Sequence, residues 1–220
     1  MKNRFPAWVA CVAVVAGCAS YPPPRVVNGY FVDYGNSFTF AAPEKWKLVD
    51  EIPDRFLPPS QFVDRDTMPS RYESNIGVFS DSAFVNESNT GVIAVDTSQS
   101  GINYSARSRE DIRRSLESTY ADSLRKMNQI SGFSGYNYTV SADVITERPT
   151  LLARVGFNMK LKSGTFRCEE KLYAFTARGG TNLLKLTLIS EEQAFKENLA
   201  IFEAQMKSVK RFAQTPDAKH

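Results

Sequence analysis

Leu151-Leu152-Ala153-Arg154-Val155-Gly156-Phe157-Asn158-Met159-Lys160-Leu161 is the stretch that decides the fold. Leu151, Ala153, Val155, Phe157, Met159 and Leu161 recur at every second position, with Arg154, Asn158 and Lys160 between them. That is the period of a half-buried β-strand. Lys162-Ser163-Gly164 then makes a short hairpin turn. Upstream, Tyr136, Tyr138, Val140, Ala142 and Val144 alternate with Asn137, Thr139, Ser141 and Asp143 before a turn at Glu147-Arg148-Pro149. Downstream, 165–177 carries Phe166, Cys168, Leu172 and Ala174 on one face and Tyr173 and Phe175 on the other, so its second half is apolar on both sides. Gly179-Gly180 turns the chain again, and Leu184, Leu186 and Leu188 continue the alternation. Four strands joined by tight turns predict an antiparallel meander.

Helical periodicity appears on either side of this meander. Ser190-Glu191-Glu192-Gln193 fits a capping box, with two acidic residues where a helix dipole favours them. Phe195, Leu199, Phe202, Met206 and Val209 follow as one apolar stripe, which predicts a helix lying on the sheet. In the first half, Ser108 is placed to cap a long helix to Met127, with Ile112, Leu116, Tyr120, Leu124 and Met127 on one stripe. Short strands are expected at 30–32 and 38–40, joined through Gly35-Asn36, and at 76–85 and 91–95, with a polar turn over 86–90. The sum is a single α+β domain over 29–212, an antiparallel β-sheet with helices packed on both faces, an α/β/α sandwich. Residues 213–220 have no pattern and form a flexible tail.

The N-terminus carries a different message. Lys2 and Arg4 precede a nearly unbroken apolar run from Phe5 to Ala16. About a dozen residues are too few to cross a hydrocarbon core of roughly 30 Å as a helix. Small residues lead to the cut site, as in an export signal. Val15-Ala16-Gly17-Cys18 resembles the lipobox of bacterial lipoproteins. That resemblance implies a signal peptide over 1–17 and acylation of Cys18 as the mature N-terminus, and two or more acyl chains anchor stably. Ala19 follows Cys18 where an inner-membrane retention signal would place aspartate. The implied location is the outer membrane, facing the periplasm, with the inner membrane or the cell surface as alternatives. Tyr21-Pro22-Pro23-Pro24 in 18–28 then reads as a stiff polyproline tether.

Composition narrows the functions further. Loss of Lys2 and Arg4 with the signal takes two of 27 basic residues against 24 acidic ones, so a charge of +3 becomes +1. A nearly neutral surface argues against nucleic acid, which demands a clustered basic footprint. With Cys11 removed and Cys18 blocked, Cys168 is the sole remaining thiol, so the domain has no internal disulfide. The single histidine is His220, at the tail. Ser-His and Cys-His catalysis and histidine-rich metal sites are thereby excluded in their ordinary forms, and no cofactor or metal is expected.

Asn36-Ser37-Phe38-Thr39-Phe40-Ala41-Ala42-Pro43-Glu44-Lys45-Trp46 and the closing segment ending Ser208-Val209-Lys210-Arg211-Phe212 resemble the PsbP-like fold family. That family includes an extrinsic photosystem II subunit, a Ran-binding nuclear import factor and envelope lipoproteins of the DcrB type. The resemblance covers about 29–212 and implies an antiparallel sheet with helices on both faces, in proteins that bind or assemble rather than catalyse. It carries over no functional residue, and the Pro-rich insert after Trp46 departs from it.

That insert, 46–71, holds Pro53, Pro58, Pro59 and Pro69, with Phe56, Leu57 and Phe62 among charges. Long loops without regular structure are uncommon and often functional. Either the segment straps an open edge or end of the sheet, or it is a partner-binding loop with Trp46, Phe56, Leu57 and Phe62 as anchors. Glu169 and Glu170, adjacent on a strand, point to opposite faces and cannot act together. Arg167, Glu169 and Lys171 share a face of alternating sign and read as a solvated surface, as do the mixed charges around Arg107, Arg109, Arg113 and Arg114. The expected function is therefore an envelope lipoprotein that binds another envelope protein or supports an assembly, without enzymatic activity. The alternative is a carrier of an apolar ligand or lipid in a pocket between sheet and helix.

Overall fold

The strand that decides the fold is β8, Thr150–Leu161, in a computed structural model that describes residues 21–57, 82–100, 104–141, 143, 145–177 and 180–212. It pairs antiparallel with β7, Phe133–Val140, and with β9, Gly164–Ala177, which in turn pairs with β10, Gly180–Glu191. The four-stranded meander is thus present in the expected order. It continues through β6, Gly91–Ser100, and β5, Ser82–Asn86, to β4, Trp46–Val49. Together these make a seven-stranded sheet ordered β4-β5-β6-β10-β9-β8-β7.

A second sheet departs from the expectation of one. It has four strands in the order β1-β2-β3-β11: β1 Arg25–Val27, β2 Tyr30–Asp33, β3 Phe38–Ala41 and β11 Lys210–Arg211. Phe31, Phe38 and Phe40 on this small sheet are fully buried and stack against one another and against Phe84 of the large one. Aromatic burial of this size joins the two sheets, and Arg211 of the small sheet donates to the Thr176 carbonyl of the large one at 2.7 Å.

Period-two pairing sorts the large sheet into two faces. One face carries Ala83, Val92, Ala94, Val155, Phe157, Met159, Phe166, Cys168 and Ile189, in one buried cluster. Met127 belongs to that cluster, and Tyr120 and Leu124 pack against it, all three from α1, Arg109–Met127. The other face carries Phe84, Ile93, Val95, Tyr173, Phe175, Leu184, Leu186 and Leu188. These pack with the phenylalanines of the small sheet and with Phe195, Phe202 and Met206 of α2, Phe195–Met206. Helix α1 starts where Ser108 predicts: the Ser108 hydroxyl accepts a hydrogen bond from the Asp111 N–H at 3.1 Å.

Four local readings are corrected by the structure. Ser190-Glu191 closes β10 and does not open a helix; α2 begins at Phe195 after Ala194, with no side-chain cap. The Ser190 hydroxyl instead accepts a hydrogen bond from the buried Asn198 amide at 2.9 Å. Val209 likewise falls beyond the helix, whose last residue is Met206. In β7, a register shift between Gly135 and Asn137 leaves Tyr136 outside the alternation and 44% exposed, under the Arg167 guanidinium. A second shift in β8 between Leu151 and Ala153 buries Leu152 and sends Leu151 to the opposite face.

Segment 46–57 straps the core. After β4 the chain makes a single 3-10 turn, Asp54–Phe56, and the Phe56 ring is fully buried against Phe166 at 5.3 Å between centroids. Arg55 pairs with Glu191 and donates to the Asn89 carbonyl at 2.7 Å, fixing the turn over the end of the sheet. Replacing Phe56 with Ala removes a fully buried ring and should destabilise the domain by about 3–5 kcal/mol. A urea midpoint that falls without a change in slope would verify this; an unchanged midpoint would show that the ring is not part of the core.

Candidate functional site

The expected site residues are placed as follows. Trp46 is half-buried at the start of β4 and packs with the core on the α2 face. Phe56 is inside the core and Leu57 is half-buried against it, so neither is presented to a partner as an exposed anchor. Packing on Phe166 is the physical reason, because an aromatic ring gains more from that burial than from water. Phe62, the remainder of the insert from 58, the lipobox with Cys18, and the tail lie outside the described residues.

The solvated-surface reading of β9 is corrected as well. Glu169 and Lys171 are buried, because α2 lies over that face and lowers Glu203 between them. Lys171 Nζ donates to Glu203 Oε2 at 2.6 Å, and Arg154 donates to Glu203 Oε1 at 2.8 Å and to the Glu169 carboxylate. These are matched charges in a closed network, which positions a helix and leaves no group open.

The opposite face of β9 is different. The β9–β10 register sets Glu170 opposite Thr187 and Leu172 opposite Lys185, and the β10–β6 register sets Lys185 opposite Asp96. Pleating points Glu170, Lys185, Thr187 and Asp96 toward α1. Between them and the helix lies a cleft of about 190 Å³. Its floor is Glu170, Lys185 and Asp96; its walls include Tyr104, Tyr120, Leu116, Leu124, Leu172 and Leu183. Ser115, Thr119 and Ser123 line it from α1 and are small enough to leave it open. Thr119 and Ser123 turn their hydroxyls back onto the carbonyls four residues earlier, each at 2.8 Å.

The floor is incompletely matched. Lys185 Nζ lies 3.0 Å from Asp96 Oδ2, an ion pair without the angle of a formed hydrogen bond. Glu170 is 4% exposed, and its Oε2 has no hydrogen-bond partner. Burial pushes the Glu170 carboxyl up to about 7. The Lys185 ammonium lowers it less than burial raises it, and the charge of Asp96 raises it further. Burial and the Glu170 carboxylate hold the Tyr120 phenol well above its ordinary range, so it remains a donor. Cys168 is fully buried, its thiol likewise pushed up by desolvation, and is inert. Among the described residues no cluster of three or more His, Cys, Asp or Glu side chains could hold a metal ion. Sequence reading had placed Glu170 on the face opposite Glu169, but only the covering helix shows that it is enclosed.

No family model matches this sequence, and no curated protein matches it. Among solved structures it is similar to the cyanobacterial PsbP (CyanoP) of Synechocystis sp. PCC 6803, with 12% identity over 89% of this chain and 96% of that one, at a TM-score of 0.45. It is also similar to LpqN of Mycobacterium tuberculosis, a protein described as involved in cell envelope biogenesis. That match has 12% identity, covers 78% of this chain and 81% of that one, and has a TM-score of 0.44. The Ran-binding protein Mog1p of Saccharomyces cerevisiae matches at 8% identity over 82% of this chain and 93% of that one, with a TM-score of 0.36. These are likenesses of coarse shape and transfer no site residue.

An acid raised on folding has a definite signature in stability. Below pH 4.5 Glu170 is protonated in both states, and above about 7 it is ionised in both. Between these limits the folded state binds the extra proton, so stability falls as pH rises. Glu170→Gln should remove this loss and stabilise the domain at pH 8 by about 2–3 kcal/mol relative to its effect at pH 4. Urea unfolding of both proteins at the two pH values measures it; a difference independent of pH would refute the raised carboxyl.

Proposed function

We propose that this chain is a lipid-anchored protein of the bacterial envelope whose domain is a non-enzymatic binding module, and that the cleft under α1 holds its ligand. The observation that carries the reading is the buried Glu170, which lines the cleft and whose Oε2 has no hydrogen-bond partner. Leaving a buried acceptor unmatched costs free energy that a bound ligand recovers. The anchor rests on Val15-Ala16-Gly17-Cys18, with the outer membrane and a periplasm-facing domain as the location. Among the described residues no helix is long and apolar enough to cross a membrane. The PsbP-like resemblance and a sandwich with a helix on each face of the large sheet belong to the same reading: a helix over one face is what roofs the cleft.

Of the two binding roles suggested by the sequence, the enclosed cleft favours a carried small ligand over a protein held by the 46–71 segment. Phe56 is buried in the core and Leu57 packs against it, which supports the small-ligand role. The cleft also departs from the apolar pocket expected of a lipid carrier, because its floor is charged. A ligand with a polar head and a short apolar body fits this mixture.

Two substitutions test the parts separately. Cys18→Ser should move the protein from the membrane fraction to the soluble one or stall its processing; an unchanged membrane fraction would remove the lipid anchor. Thr119→Trp places an indole at the mouth of the cleft from an exposed helix position. Native mass spectrometry should show a small copurifying molecule on the parent protein and none on Thr119→Trp. An equally occupied variant would place the ligand elsewhere.

A further inference from the structure

We propose that the occupant of the cleft is a small organic ammonium cation whose nitrogen pairs with the Glu170 carboxylate. The inference deepens the binding-module reading and rests on it. The charges of the floor decide the sign. Lys185 is held by Asp96 at 3.0 Å, so this pair is already neutral. Glu170 is the remaining charged group of the floor, and its Oε2 is unpartnered. With Glu170 ionised the floor carries one negative charge, which a monocation neutralises. An anionic ligand would meet two carboxylates and a single lysine whose charge Asp96 already balances. A neutral, apolar one would leave Glu170 Oε2 without a hydrogen bond.

The walls suit the same chemistry. Tyr104 and Tyr120 line the cleft, where aromatic rings attract a cation, and Leu116, Leu124 and Leu172 give it apolar walls for a short carbon chain. At about 190 Å³ the space is smaller than a typical drug-sized pocket of roughly 300 Å³ or more, which restricts the ligand to a few carbon atoms.

Binding of this kind is linked to a proton. Glu170, which burial pushes up to about 7, faces Lys185 and Thr187 of β10, Asp96 of β6, Cys168 of its own strand, and Tyr120 of α1. The cation arrives already charged and pairs with the ionised carboxylate; the proton that Glu170 held below pH 7 goes to solvent. Apparent affinity scales with the ionised fraction and should therefore rise roughly tenfold from pH 6 to pH 8.

The test uses the full chain in detergent with three isosteric probes: propylammonium, propionate and 1-propanol. The readout is the NMR shift of the Met127 methyl group, which lines the cleft. Propylammonium should shift it saturably, about tenfold more tightly at pH 8 than at pH 6, and at least tenfold more weakly in Glu170→Gln at pH 8 with no pH dependence. If Glu170→Gln does not fold, the pH ratio of the parent protein decides alone. Binding of propylammonium that is flat with pH, or unchanged in Glu170→Gln, overturns the pairing. A shift by propionate or propanol with propylammonium silent overturns the ligand class and leaves the cleft as a binding site. Silence of all three, with no copurifying molecule lost in Thr119→Trp, overturns both.

Discussion

The register between β9 and β10 is the constraint on which the rest of the structure depends. Their ladder runs unbroken from Gly180 opposite Ala177 to Glu191 opposite Phe166. Because successive side chains alternate faces, a slip of one residue would exchange every pair across the sheet. Glu170 would then meet Glu203 and Arg154, and Glu169 would enter the space under α1. Phe166 and Cys168 would leave the cluster that Phe56 closes. Apolar burial on both faces makes such a slip costly, so the position of two adjacent glutamates follows from hydrophobic pattern and not from their own charges.

Those two glutamates show how the same side chain acquires opposite roles. Glu169 lies where an arginine, a lysine and the Glu203 carboxylate close a network, and every charge has a neighbour of opposite sign. Glu170, one residue on, lies where the available lysine is engaged by Asp96. Burial raises both carboxyls, but Arg154 and Lys171 counter it at Glu169, whereas Glu170 is pushed up to about 7. Matched burial holds α2 to the sheet; unmatched burial leaves an acid that can change charge near neutral pH.

The elements legible in the sequence were those governed by local physics. Period two in 153–161, the Ser108 cap and the 112–127 stripe each depend on a few neighbouring residues, and each is present. The Ser190 to Gln193 capping box was misleading because β10 continues through Glu191 to pair with β9, and a ladder bond outweighs a cap. The two register shifts at Tyr136 and Leu152 were invisible for a related reason: a bulge breaks the alternation from which strands are read. Burial of Glu169, Lys171 and Glu170 was equally hidden, since it depends on helices far away in the chain. Charge on a strand signals solvent only when nothing covers that face.

The small sheet bears on why the cleft lies where it does. Phe31, Phe38 and Phe40, with Phe195 and Phe202 of α2, fill the opposite face with tightly contacting rings. Close-packed aromatics leave little room for a cavity there. On the α1 face, Ser115, Thr119 and Ser123 stand where larger side chains would meet the sheet. Closer in, Gly135 of β7 faces Leu124, where even a Cβ would fall 2.2 Å from Leu124 Cδ2. The helix is therefore drawn tightly to the sheet at β7 and lined by short polar side chains farther along. Contact at one end and short side chains at the other hold the roof over Glu170 without filling the space beneath it.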